Sequence, residues 1–194
     1  MPTLERGFKS WCERSALAVR AELALDAHRP LSARQLAEHL GVTLVTPREI
    51  PGLPMDVLKQ LTVTDPQGWS AVSFTIGNAT TIIYNSNNSS GRQSSDIMHE
   101  LSHVMLDHEP SQVILSMNGD MAMRSFDAKQ EDEANWLGWT LLLPRPALVH
   151  CVRMKLSVTQ IAQEYEVSEQ LVKFRRGMTG IDRQTQVRYR RASR

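Results

Sequence analysis

Cysteine is scarce in this chain: Cys12 and Cys151 are the only two among 194 residues. They lie far apart and make no CxxC pair, so a cysteine metal knuckle is excluded and a disulfide framework is not expected. Such usage suits a reducing compartment and leads us to expect a cytoplasmic protein. An excess of one charge is missing too, with 22 Lys and Arg against 21 Asp and Glu and a formal net charge of +1. The whole chain therefore has no strong pull toward polyanions. Long apolar runs are absent as well. The stretch Trp136 to Pro144 is far too short to span a bilayer and ends in Pro-Arg-Pro, so no membrane association is expected. At the N-terminus Glu5, Arg6, Lys9, Glu13 and Arg14 leave no apolar core for an export signal. No internal repeat is visible.

What remains is a globular composition, 41% apolar and 22% charged, in a chain long enough to bury a real core. Its most informative stretch is His99-Glu100-Leu101-Ser102-His103. Residues four apart share one face of a helix, so both imidazoles can reach one metal ion. Glu100, beside the first His, can reach the open coordination position and act on the water there. Chance alone would produce such a pentapeptide in roughly one chain in a hundred of this length. The surroundings favour a buried helix. Ile97, Leu101, Val104 and Met105 recur at helical spacing, Ser94, Ser95 and Asp96 offer N-cap chemistry, and Ser102 is small enough to pack against a neighbouring backbone.

A catalytic zinc site needs a third protein ligand, with one position left for water. The segment Gln130 to Trp139 is helical in pattern, and Ala134, Leu137, Gly138 and Leu141 give it a small, apolar face. Glu131 and Asn135 are four apart and share another face, so one can bind metal while the other hydrogen-bonds a ligating imidazole. Glu133, on a different side of the same helix, is the competing ligand. The plainer reading is an acidic helix start favoured by the helix dipole.

The two elements together, HELSHVMLDH and then EDEANWLGWTLLLP, resemble the ImmA/IrrE family of zinc-dependent metallopeptidases. That family carries HE-x-x-H with a small residue before the second His, followed by E-x-E-A-N/D-x-F-A-x-x-L-L-M-P. Here the second element runs from Glu131 to Pro144 with its spacing kept. Ser102 stands where Gly is usual, Leu137 for an aromatic and Leu143 for Met, and none of these removes a metal-binding group. In order of elements the likeness covers roughly residues 30 to 180. It implies that His99, His103 and Glu131 are zinc ligands, Glu100 the general base, and Asn135 a supporting residue behind the ligands. It implies a gluzincin-like metalloendopeptidase that cleaves a helix-turn-helix repressor and switches on mobile-element or stress-response genes. The oxyanion donor is left open among His108, Tyr84 and an arginine.

The expected fold is α+β, a minimal zincin-like core with flanking N- and C-terminal helices. Three segments are expected: a helical one over residues 1–61, the metallopeptidase core over 62–145, and a helical hairpin with a basic tail over 146–194. In the first, residues 4–28 read as an amphipathic helix ended by Pro30. A short helix over Leu31 to Leu40, a strand over Val42 to Thr46 and a helix near Met55 to Leu61 follow. In the second, Trp69 to Ile76 and Thr80 to Tyr84 alternate around a Gly77-Asn78 turn, and Asn85 to Gln93 reads as a polar loop. An edge strand beside the cleft would pair with an extended substrate, and Ile82 to Tyr84 is one candidate for that edge. His108 to Lys129 reads as a cover for the cleft or as an ordinary surface loop.

Leu156 to Arg176 has a helix-turn-helix rhythm. Lys173, Arg175, Arg176, Arg183, Arg188, Arg190, Arg191 and Arg194 make the end basic, against Asp182 alone. A recognition helix with an arginine arm would bind DNA phosphates. The favoured reading is a hairpin packed under the core, because the second helix lacks the Asn, Gln or Ser cluster that reads bases. The rival function is thus a non-catalytic DNA- or repressor-binding regulator with a structural, sensory or vestigial metal site.

Overall fold

A computed structural model describes residues 4–108, 114–115, 121–122 and 127–181. Its helices are α1 (Phe8–Glu22), α2 (Ala33–His39), α3 (Met55–Lys59), α4 (Ser90–Met105), α5 (Ala128–Leu142), α6 (Arg145–Arg153), α7 (Val158–Glu164) and α8 (Glu169–Thr179). The strands are β1 (Thr43–Val45), β2 (Ala71–Ile76), β3 (Ala79–Tyr84), β4 (Ile114–Leu115) and β5 (Met121–Ala122). The fold is α+β: a small sheet, two long helices packed beside it, and helices flanking them at both ends.

The first three strands form a sheet in the order β1-β3-β2, with β1 parallel and β2 antiparallel to β3. Gly77, at φ 60°, makes the hairpin turn between β2 and β3, as the Gly77-Asn78 pair leads one to expect. Ile82 to Tyr84 is the central strand and not an edge. β2 is the edge on the side of the candidate site, and the short β4 and β5 pair with each other.

Several boundaries differ from the sequence expectation for local reasons. α1 ends at Glu22, well before Pro30, where Ala24 adopts φ 55° and the Leu25 N–H bonds back to the Arg20 carbonyl. π-helical turns over Gln60–Thr64 extend α3. α4 starts at Ser90, so the N-cap chemistry of Ser94, Ser95 and Asp96 is not used and half of the expected polar loop is helix. Gly91 explains the extension: a Cβ there would lie 3.2 Å from the Glu166 carbonyl oxygen, so the α4 start is packed against the α7–α8 corner. α6 was not anticipated, because Pro144-Arg-Pro reads as a stop. Its proline lies in the first helical turn, where a missing N–H costs nothing.

α5 lies at the centre of the helical layer, with Ala134, Leu137, Leu141 and Leu142 fully buried. Its C-terminal carbonyls have no intrahelical partner, and no glycine cap follows. Two buried arginines take that role. Arg20 of α1 donates to the carbonyls of Leu141 (2.8 Å), Ala16 and Arg29. Arg175 of α8 donates to the Leu143 carbonyl (3.1 Å) and to Glu13 of α1 (2.7 Å). Phe174 sets its ring edge-on to Trp136 and Trp139. α8 is therefore packed onto α5, and Arg175, which the sequence offered as part of a DNA-binding arm, is interior. Arg183, Arg188, Arg190, Arg191 and Arg194, together with most of the segment before α5, lie outside the described residues. Cys12 and Cys151 are both buried and unpaired, and burial pushes the Cys12 thiol up to about 12.

Arg20→Met keeps the packing volume but strands the carbonyls of Leu141 and Arg29. A loss of about 2–4 kcal/mol in unfolding free energy is expected from such orphaned buried groups. The shift of the urea midpoint checks it.

Candidate metal centre

α4 and α5 cross where both are small. A Cβ on Gly138 would come within 3.2 Å of the Ser102 hydroxyl and 3.4 Å of the Met98 carbonyl, so glycine is what allows this approach. Ser102 is wholly buried and turns its hydroxyl back to the Met98 carbonyl at 2.8 Å. Ile97, Met98 and Leu101 fill the inner face of α4, whereas Val104 and Met105 are only partly covered. This close crossing brings the N-terminal turn of α5 beside the middle of α4.

His99, His103 and Glu131 meet there. The two Nε2 atoms are 3.1 Å apart, and Glu131 reaches His99 at 3.2 Å and His103 at 3.7 Å. A tetrahedral zinc with ligand bonds near 2.0–2.2 Å spaces its donors by about 3.3–3.5 Å. The three groups thus have the spacing one metal ion needs, and among the described residues they are the one cluster of three such groups. Two imidazole nitrogens and a carboxylate oxygen suit zinc. Glu131 sits in the first turn of α5, where the helix dipole favours a carboxylate. Asp127 caps that helix by accepting from the N–H groups of Lys129 and Gln130.

Beside these groups lies a cleft of about 280 Å³, lined by Ser70, Ala71, Ser95, Asp96, Asn135 and Trp139 as well as His99, Glu100 and Glu131. Glu100 is 5% exposed. One carboxylate oxygen accepts from both the Ser73 N–H (3.0 Å) and its hydroxyl (2.6 Å). Ser73 is the residue that sequence reading missed. Its only signal was alternation within β2, which puts a small hydroxyl on the α4 side. Asp96 is half-buried, and burial raises its carboxyl above the usual range against the opposing pull of Arg92 and Asn88.

The remaining candidates have different neighbours. Asn135 lines the cleft beside Glu131, as shared helical faces require. Glu133 points to His108, whose Nε2 is 3.3 Å from its carboxylate. The other nitrogen of His108 lies 3.0 Å from Nδ1 of His103. Tyr84 is 8% exposed, and its hydroxyl accepts from Arg34 of α2 at 3.0 Å. Neither Tyr84 nor His108 lines the cleft.

A small sheet, a His-bearing helix and a second helix that brings a carboxylate to it define a compact zincin-like core. The family model for the IrrE N-terminal-like domain, peptidase family M78, matches residues 56–176. The match covers more than half of the chain, which belongs to this family and is of metallopeptidase type. Among curated proteins none matches the chain. Within the described residues no helix is long and apolar enough to cross a membrane.

Metal analysis separates the two carboxylates of α5. Glu131→Ala is expected to lose most of the bound zinc, and Glu133→Ala to keep about one zinc per chain. The reverse result would make Glu133 the ligand.

Proposed function

We propose that the protein is a zinc-dependent regulatory endopeptidase whose substrate is a helix-turn-helix repressor in the cytoplasm. The observation that carries the enzymatic part is the convergence of His99, His103 and Glu131 beside a cleft that His99, Glu131 and Glu100 line. Zinc held there by His99, His103 and Glu131 would supply Lewis-acid polarisation of the scissile carbonyl and would lower the pKa of the attacking water. Glu100 takes the proton from that water and passes it to the leaving amine nitrogen. Ser73 holds one oxygen of Glu100, which leaves the other for the proton and fixes the carboxylate against rotation. Asn135, which lines the cleft beside Glu131, is the amide suited to support the metal-holding groups from behind.

The edge of β2, which has no strand beside it among the described residues, supports an extended polypeptide as substrate. Among the described residues β2 has a strand neighbour only in β3, and it runs past Glu100 through Ser73. A peptide added there would gain main-chain hydrogen bonds and cross the metal-binding cleft. Support for a repressor as that polypeptide is the resemblance of the two motifs to the ImmA/IrrE family. Free, buried thiols suit the reducing compartment in which such a repressor works.

Glu100→Gln is expected to keep its zinc and lose cleavage of the repressor by at least a hundredfold; full activity in that variant would sink the assignment. Ser73→Ala removes the hydroxyl bond and keeps the N–H bond. A fall in kcat of about tenfold with little change in KM is expected, read by steady-state cleavage of a peptide spanning the scissile bond.

A further inference from the structure

We propose that His108 and Glu133 form a hydrogen-bonded relay that orients His103 and raises its strength as a metal ligand. This rests on the metal-centre reading above and adds two positioning residues to it. The backbone dictates the placement. Asp107 follows α4 in the left-handed region at φ 52°, and its N–H bonds to the Val104 carbonyl at 3.2 Å. The His108 N–H returns to the His103 carbonyl at 3.1 Å. This is the Schellman way of ending a helix, and it folds the residue after the turn back along the last turn. The His108 ring therefore lies edge-on to that of His103, with centroids 5.0 Å apart.

The proton positions follow from the chemistry. His103 offers Nε2 to the metal point, so in its neutral form the ring proton is on Nδ1. That proton is donated to Nδ1 of His108 across 3.0 Å. His108 must then carry its own proton on Nε2, which faces the Glu133 carboxylate at 3.3 Å. Every donor meets an acceptor, and a negative charge ends the chain. The His108 side chain is 7% exposed and that of Glu133 14%, so water competes little for these bonds. Lys129 lies 3.8 Å from Glu133 and pairs with Glu5 at 2.7 Å, which offsets the charge that closes the relay. Partners of this kind fix a ligating imidazole's tautomer and increase its basicity. Glu133 thus acts on the metal through two rings without touching it.

The experiment uses zinc itself and the full chain. In wild type loaded with zinc and labelled with 15N, a scalar coupling across the hydrogen bond should join Nδ1 of His103 to Nδ1 of His108. A His108 ring protonated on Nδ1 overturns the relay without any variant. In chelator competition, His108→Leu should raise the zinc dissociation constant by about 10- to 100-fold. His108→Asn, whose carbonyl can accept from His103 Nδ1–H, should recover much of that loss. Glu133→Ala should weaken binding several-fold at unchanged stoichiometry. Zinc bound as tightly by His108→Leu as by wild type overturns the relay and leaves the metal centre standing. A wild type that binds no zinc overturns both.

Discussion

The close crossing of α4 and α5 is the contact on which the rest depends. A metal centre built from two helices needs donors from both within about 3.5 Å of one another. Side chains as short as Glu reach that far only when the helix axes come close. Gly138 against Ser102 and the Met98 carbonyl supplies that proximity. One turn toward the N-terminus of α5 from Gly138 comes Ala134, fully buried, and nearly one more turn brings Glu131 to the imidazoles. Packing in the core thus sets the position of the chemistry. A larger residue at 138 would act on metal binding from a position that offers no ligand.

Burial and polarity are balanced differently on the two sides of α4. Toward the sheet, the Glu100 carboxylate is almost wholly covered, and Ser73 supplies two donors to it. Toward the helix end, His103 has a second imidazole behind it and a carboxylate behind that. Both arrangements place a neutral hydrogen-bonding group against a residue whose protonation state matters. Both also leave the cleft face open, which is what a site that must admit a polypeptide requires.

The helix pair and the three groups that could hold a metal were legible because they depend on local spacing. His99 and His103 at i and i+4, and Glu131 with Asn135 on one face, follow from helical geometry. So does the small, apolar side of Ala134, Leu137 and Gly138, and the β2–β3 hairpin followed from alternation and its turn. Features set by tertiary contact were harder to read. The early start of α4 depends on Gly91 meeting the Glu166 carbonyl, and the strand order makes Ile82 to Tyr84 central. Ser73 carries no motif, and its importance arises only when β2 lies across Glu100. Arg175 looked like part of a basic surface, yet the carbonyls at the end of α5 draw it inside. His108 and Glu133 were singled out as chemical groups, but their pairing needs a helix ending that residue types alone do not specify.

The arginine capping of α5 bears on where an autonomous folding unit begins. The family match starts at residue 56, while Glu13 and Arg20 belong to α1, outside it. Cys12, Ala16 and Val19 of that helix are part of the same hydrophobic core. A fragment trimmed to the matched region would expose this face and leave the Leu141 carbonyl without its Arg20 donor. It would also leave Arg175 as a buried cation that has lost its carboxylate. The segment that homology delimits is therefore smaller than the segment that physics holds together.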